Sequence, residues 1–439
     1  MAPVASAIVA MSCGGGAPSR PDSSPAGDAE NLDASPMIPD AAPFRCIGGW
    51  PVAPAPNTKP SLSVTPSLLW SRQTNWRGPA DSLALTADRV ALSAGDKLFL
   101  FDHQGNLMGQ FRSFAFEPLS RPTADPDGNL YVAGSSLYSV DATGGVRWSV
   151  AFGPPLVQDR TLAASIVLSP AGILYTAASD GYAYAVRAGD GTVVWKRFVG
   201  LHVGNPAIVS SGVGDSVVIL SSETPDQFFD AATGEPHGYP STRQGEPISA
   251  GMFGHGFGIV GTTANAYYDR FGIHVSSGCG EPRWSLPQDR LQMPALVAPG
   301  DRLVVVETVF EATALRGRIR VYSPDGQLLA GPRIAGGPVM VGADETIYTV
   351  DCDSRDREGP WRIIALAPDL SERWRLEMTA PCPWGIGGLS ADGVIFLARE
   401  PSGAGAELIA IQTTSPGLAN SSWPLTYAHD NRNTGWLWP

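Results

Sequence analysis

The chain has 439 residues and a net charge of -12, with 16% charged and 43% hydrophobic residues. It carries no Lys/Arg run and no basic stripe, which argues against nucleic acid as a partner, and no internal run of 18 apolar residues that would make a transmembrane helix. Its 50 Gly and 39 Pro suit an all-β chain with many turns.

The first 13 residues are small and apolar, with Ile8, Val9 and Met11 ahead of Cys13. A Pro/Ser/Gly-rich stretch, residues 14–60, follows. The arrangement resembles a bacterial lipoprotein signal in which Cys13 is lipidated and a flexible tether trails behind it. It departs from that pattern in lacking a basic leader and in having Ala10 three residues before the Cys. A chance cysteine in an ordinary tail is the other reading. Gly14 after the Cys favours, by the same resemblance, the outer membrane. The localisation expected is the cell envelope, as an outer-membrane lipoprotein facing periplasm or surface.

From residue 61 a strand signal recurs eight times, at Val90, Leu130, Leu174, Val217, Gly258, Leu303, Ile347 and Ile395. Pro126-Asp-Gly-Asn-Leu-Tyr-Val-Ala133 and Pro170-Ala-Gly-Ile-Leu-Tyr-Thr-Ala177 are typical copies. Strand-and-turn repeats of this length predict an all-β, eight-bladed β-propeller of four-stranded antiparallel blades over residues 61–439, with seven blades as the alternative. In each unit a short first strand precedes the anchor strand, and a third strand such as Leu137–Val140 or Ala183–Val186 follows it. A turn bearing Asp or Gly comes next, where glycine supplies positive φ. Then comes a fourth strand with Trp at its centre: Trp148, Trp195, Trp284 and Trp374. Units one, four and six have Gly109, Gly238 and Ala330 there instead. Such rings suit the wedges between blades; sugar stacking is the other use of an aromatic.

This pattern resembles the PQQ-like repeat propellers, most clearly over Ile173–Arg197. The run Trp423-Pro-Leu-Thr-Tyr-Ala-His-Asp-Asn-Arg-Asn-Thr-Gly435 resembles the segment that flanks many of them. Among non-catalytic members is the propeller lipoprotein of the outer-membrane β-barrel assembly machine, a docking scaffold.

Trp70, in Leu68-Leu-Trp-Ser-Arg-Gln73, reads as a fourth strand placed ahead of unit one, so residues 67–73 are expected to complete blade eight. The rival closure uses Trp423. Blades six, seven and eight have long links between second and third strands: residues 307–317, 351–361 and 400–407. Long loops on a rigid scaffold are where function concentrates, although plain solvated insertions read the same way. The candidate interaction residues are Glu307, Glu311, Arg316, Asp353, Arg355, Asp356, Arg357, Trp361 and Glu400. Cys352 and Cys382 fall on one face and form the first candidate disulfide. Cys46 and Cys279 form the second, which would pin the tether to the opposite face.

The resemblance also raises a quinoprotein oxidoreductase, with PQQ and Ca²⁺ in the central channel. This chain has no adjacent cysteines, and Asp351-Cys-Asp-Ser-Arg-Asp356 lacks the Gly and Glu of an EF-hand. Its six His are scattered, and no catalytic motif occurs. No catalytic residue, metal or cofactor is therefore expected. The function expected is non-catalytic binding or scaffolding of envelope proteins, with membrane contact only through the lipid. A quinoprotein enzyme and a surface glycan binder using Trp361 or Trp384 are the alternatives.

Overall fold

The computed structural model describes residues 59–75, 82–156, 165–200, 203–211, 214–221, 227–237, 259–260, 264–269, 272–277, 282–287, 296–298, 302–311, 314–335, 339–352, 360–378, 382, 387–399 and 405–419. All of them lie in the unit Pro43–Pro439. Strands form where short apolar runs are punctuated by glycine at positive φ, as at Gly105, Gly191 and Gly326. The described residues make eight four-stranded antiparallel sheets and no helix. Sheet three is typical: Val167–Leu168, Ile173–Ala177, Tyr182–Arg187 and Val193–Phe198, paired in that order.

The second and third strands are apolar on both faces because each sheet is sandwiched between two others. Ile173–Ala177 and Tyr182–Arg187 are buried along nearly their whole length, whereas Val193–Phe198 is largely exposed. The core therefore consists of seams between successive sheets. One seam joins the ends of the chain: Leu83, Val90 and Phe99 of sheet one pack with Val394, Phe396 and Leu408 of sheet eight.

Sheet eight contains Gly388–Leu389, Val394–Arg399 and Glu407–Gln412, and its fourth strand is Ser67–Gln73 from the opposite end of the chain. Trp70 pairs with Ala410, and Gln73 with Glu407. This covers an edge that residues 407–412 would otherwise expose. The terminal segment from Trp423 lies outside the described residues.

The fourth strands share one device. A β-bulge precedes the central position in seven sheets, so that Trp70, Trp148, Trp195, Trp284 and Trp374, together with Gly109 and Ala330, occupy equivalent places. Each Trp ring lies over the turn of the next sheet. A Cβ added to Gly105 would sit 2.9 Å from Trp70, one at Gly191 2.8 Å from Trp148, one at Gly234 2.6 Å from Trp195, and one at Gly326 2.8 Å from Trp284. The indole N–H groups donate to backbone oxygens of the same turns: Trp70 to His103, Trp148 to Ala188, Trp195 to Ala231 and Trp284 to Pro324, at 2.7–3.0 Å. Trp374 reaches the Thr414 hydroxyl at 3.4 Å. These rings are packing elements, as a buried indole with a partnered N–H should be.

Two seams are filled otherwise. Between sheets one and two, backbone meets backbone: a Cβ on Gly109 would lie 2.2 Å from the Thr143 carbonyl oxygen. Between sheets six and seven the size pattern is inverted. Ala330 takes the Trp position, and Leu370, at φ 65 in the turn where other sheets have glycine, fills the space with only 4% of its surface exposed.

Unit five departs from the anchor spacing. Gly258 was expected in its second strand, but the first strand is Ile259–Val260 and the second is Ala264–Asp269. Ala-Asn-Ala-Tyr-Tyr-Asp alternates as a strand should. The apolar run Gly-Ile-Val just before it imitates an anchor but is only the short innermost strand.

Candidate functional site

The strand order gives the fold two distinct faces. Links between first and second strands and turns between third and fourth strands share one, the turn face. Links between second and third strands and between successive sheets share the other, the link face.

The turn face carries solvated carboxylates tied into their own turns. Asp141 accepts from the Thr143 N–H and hydroxyl and from the Gly145 N–H. Those bonds hold its carboxyl below the ordinary range, the Thr143 hydroxyl foremost. Asp369 is lowered in the same way by Ser371, and Asp190 by Thr192. Both described ends of the chain also lie on this face, beneath sheet seven. The Lys59 N–H donates to the Ala343 carbonyl and the Ala343 N–H donates to that of Gly417. Ser61 adds a 2.7 Å bond to Asp344.

On the link face of sheet six, residues 307–317 were expected to be a loop. Instead they continue a hairpin. Arg302–Glu311 pairs with Ala314–Tyr322 in the register Glu307 with Arg318, Val309 with Arg316 and Glu311 with Ala314. The fourth strand, Leu328–Ala335, follows it outward, Ala335 opposite Gly317. The run Glu-Thr-Val-Phe-Glu is rich in β-branched residues and extends the ladder; hydrophilic ends do not make it a loop. Glu307, Glu311 and Arg316 are thus strand residues, the last two on a projecting two-stranded hairpin end that the fourth strand does not reach.

In sheet seven, Cys352 closes its strand opposite Trp361, and Cys352 is disulfide-bonded to Cys382 with Cα atoms 5.9 Å apart. Trp361 was taken for an exposed link residue and a glycan-stacking candidate. The structure corrects this: it is the first residue of Trp361–Leu366, is 1% exposed, and packs in a cluster with Cys352, Cys382 and Met378. Beside the disulfide an indole gains more from burial than from water. The Arg362 guanidinium bonds the buried Asp351 carboxylate at 2.6–2.8 Å. Asp353, Arg355, Asp356 and Arg357 lie outside the described residues, as do Glu400 and Trp384.

In sheet eight the expected link begins one residue beyond Arg399 and ends on Glu407, which in the structure opens the third strand. Arg399 and Glu407 form a buried ion pair, 7% and 6% exposed, and the Ser71 hydroxyl of the closing strand donates to the same carboxylate. Such a pair costs desolvation and holds only while complete. Here it ties the first strand of the chain to the last.

The link face of sheets one to three holds further acids that the spacing of motifs does not reveal. Asp96, 3% exposed, takes the Arg112 Nε at 2.5 Å. Glu117 accepts from the Ser135 N–H and hydroxyl at 3.0–3.1 Å. Asp180, also 3% exposed, binds the Tyr184 hydroxyl, the Gly153 N–H and the Lys196 ammonium, the last at 3.2 Å. Burial, then the bond to Asp180, raises the Tyr184 hydroxyl. Burial lowers the Lys196 ammonium, but its bonds to Tyr184 and Asp180 outweigh this and leave it raised. Asp96 to Arg112 and Asp180 to Lys196 are both 16 residues apart, an acid in the link and a cation on the fourth strand in sheets one and three.

Cys13, Cys46 and Cys279 lie outside the described residues. Among those described, no group of three or more His, Cys, Asp or Glu side chains is placed to hold a metal ion.

Residues 67–235 match the family model described as outer membrane protein assembly factor BamB. No curated protein matches the chain. Among solved structures, BamB from Moraxella catarrhalis is similar, with 13% identity and a TM-score of 0.54 over 80% of this chain and 98% of that one. Quinohemoprotein alcohol dehydrogenase from Comamonas testosteroni is similar at 12% identity and a TM-score of 0.57, over 81% of this chain and 78% of that one. Both are PQQ-like propellers, and the chain shares their fold.

Proposed function

We propose that this PQQ-like propeller closes as eight blades and works as a non-catalytic scaffold of the cell envelope, binding protein partners through the link face of blades six to eight. The observation that carries the reading is the build of that face. A hairpin projects from sheet six, a disulfide braces the longest link of sheet seven, and a buried ion pair fixes the base of the sheet-eight link. Rigid supports under long links suit recognition, where ordering cost sets affinity. The match of residues 67–235 to the BamB model supports the same role.

Lipidation at Cys13 fits this arrangement. The described chain begins on the turn face at Lys59, hydrogen-bonded beneath sheet seven, on the side away from the link face. Growth with radiolabelled palmitate tests the anchor: the label is incorporated, and Cys13→Ala abolishes it. Pull-down from detergent-solubilised envelope tests the scaffold. A partner retained by the intact chain is lost when residues 308–316 are replaced by a two-residue turn; retention by that variant rejects blades six to eight as the surface.

A quinoprotein-type oxidoreductase is a second reading, favoured by the fold shared with the Comamonas enzyme. It requires PQQ and Ca²⁺ to produce a chromophore and dye-linked alcohol oxidation in the purified chain. The glycan reading loses Trp361, which is buried.

A further inference from the structure

Among the described residues three non-glycine residues have clearly positive φ: Phe116 at 59°, Glu345 at 63° and Leu370 at 65°. Each costs on the order of 1–2 kcal/mol. Two are accounted for by the fold: Glu345 is ion-paired to Arg302 at 2.7 Å, and Leu370 fills a seam. Phe116 is not. It stands on the link between sheets one and two with 64% of its surface in solvent. Phe114, two residues earlier, is 65% exposed. Its N–H closes a turn onto the Ser113 carbonyl and its ring meets Arg112 on one side, but the strain otherwise serves to present a bulky apolar ring to water.

The same face shows more exposed apolar side chains nearby. Leu156, on the link between sheets two and three, is 50% exposed, and Phe198, at the end of sheet three, is 57% exposed. Both converge on Gly181, where an added Cβ would meet them at 2.8 and 2.9 Å.

Charge distinguishes this rim from the rest of a chain whose net charge is -12. Over the described residues 82–156 and 165–200, every acid of the link face is buried: Asp96, Glu117 and Asp180. The exposed or half-exposed acids, Asp88, Asp102, Asp125, Asp127, Asp141 and Asp190, all belong to the turn face. What reaches solvent on the link face is cationic. The Arg112 side chain is 51% exposed and stacks on Phe116 at 4.3 Å, and the Lys196 side chain is 38% exposed and stands over Tyr182 at 4.0 Å.

We infer that the link face of sheets one to three is a second docking surface, for an extended protein segment that carries both carboxylates and apolar side chains. Phe116 is its anchor, Phe114, Leu156 and Phe198 supply the apolar contact, and Arg112 and Lys196 face the acids. A strained, solvent-exposed aromatic flanked by cations has the composition of a binding hot spot. Basic segments are disfavoured there, since no exposed acid among the described residues of this face receives them. This surface goes beyond the one proposed on blades six to eight and does not depend on it.

The test uses the full chain and fluorescein-labelled twelve-residue peptides, one alternating Asp with Phe or Leu and one with Lys in place of every Asp. Fluorescence anisotropy should show the acidic peptide binding at least about tenfold more tightly than the basic one. Phe116→Gly should weaken it by about tenfold or more, while the thermal midpoint stays level or rises, because glycine adopts positive φ without strain. Phe114→Ala should weaken it too, and Val193→Ser, on the outer strand, should not. The inference is overturned if the acidic peptide fails to bind at about 1 mM, if both peptides bind alike, or if Phe116→Gly keeps full affinity. A clear fall in the thermal midpoint of Phe116→Gly would likewise overturn it, by giving Phe116 a structural role.

Discussion

The inverted seam between sheets six and seven invites a swap. Everywhere else that an indole fills a seam whose turn is described up to sheet six, its ring lies over a glycine at positive φ; here Ala330 faces Leu370. Ala330→Trp alone should drive a ring into the Leu370 side chain, an overpacking cost of about 1–3 kcal/mol. Leu370→Gly alone empties a site where the leucine is only 4% exposed. That loss is about 3–5 kcal/mol, offset by roughly 1 kcal/mol of relieved backbone strain. Independent effects would therefore sum to about 3–7 kcal/mol. The double variant recreates the arrangement of Trp195 over Gly234 and should lie within about 2 kcal/mol of the parent, a coupling of roughly 3 kcal/mol. Urea unfolding of the four proteins, followed by tryptophan fluorescence and far-ultraviolet circular dichroism, measures it. Additivity to within about 0.5 kcal/mol would show that the two positions do not share one space and would refute the seam rule.

Closure by the first strand gives a second prediction. Deleting residues 60–75 removes Trp70 from its contact with Phe396, leaves Glu407 without Ser71, and opens the edge of residues 407–412. The melting temperature should fall and concentration-dependent association should appear in light scattering; an unchanged melting temperature would reject closure by this strand. The third prediction concerns acid. Asp141 and Asp369 are held below the ordinary carboxylate range by their turns. A depressed carboxyl stabilises the fold above its unfolded titration and loses that contribution as pH falls through the folded one. Stability should therefore decline on acidification below about pH 5, and Asp141→Asn with Asp369→Asn should flatten the decline; an unaltered slope in thermal scans across pH 3–6 would dismiss the turns as its source.

The seams were legible because they obey a local rule: a turn residue at positive φ, and four positions later a ring. Trp148 and Trp195, four residues after Gly144 and Gly191, could be placed on that rule alone, whereas Trp374 follows Leu370, a residue that does not announce a positive φ. Trp70 was legible because it repeated the pattern ahead of any turn that could precede it. The failures have equally physical causes. The innermost strands are two or three residues long, so Ile259–Val260 could not be told from an anchor. Strand and loop are confused at residues 307–317 because Glu307-Thr-Val-Phe-Glu311 alternates less cleanly than the runs of the buried strands. Trp361 was misjudged since an aromatic beside a long link looks exposed until its disulfide neighbour is seen. The buried acids of the link face pair across strands, where no adjacent-residue motif exists; only the 16-residue interval shared by Asp96–Arg112 and Asp180–Lys196 carried the information.

Ala343 receives the incoming chain through its carbonyl and the outgoing chain through its N–H. Lys59 and Gly417, close to the two ends of the described residues, thus meet at a single residue of sheet seven. Circular permutants opened between Glu311 and Ala314 should keep every sheet while presenting new ends on the link face. Cargo fused at such ends would leave from the link face, whereas cargo joined at Lys59 leaves from the turn face, so one scaffold can be held by either side.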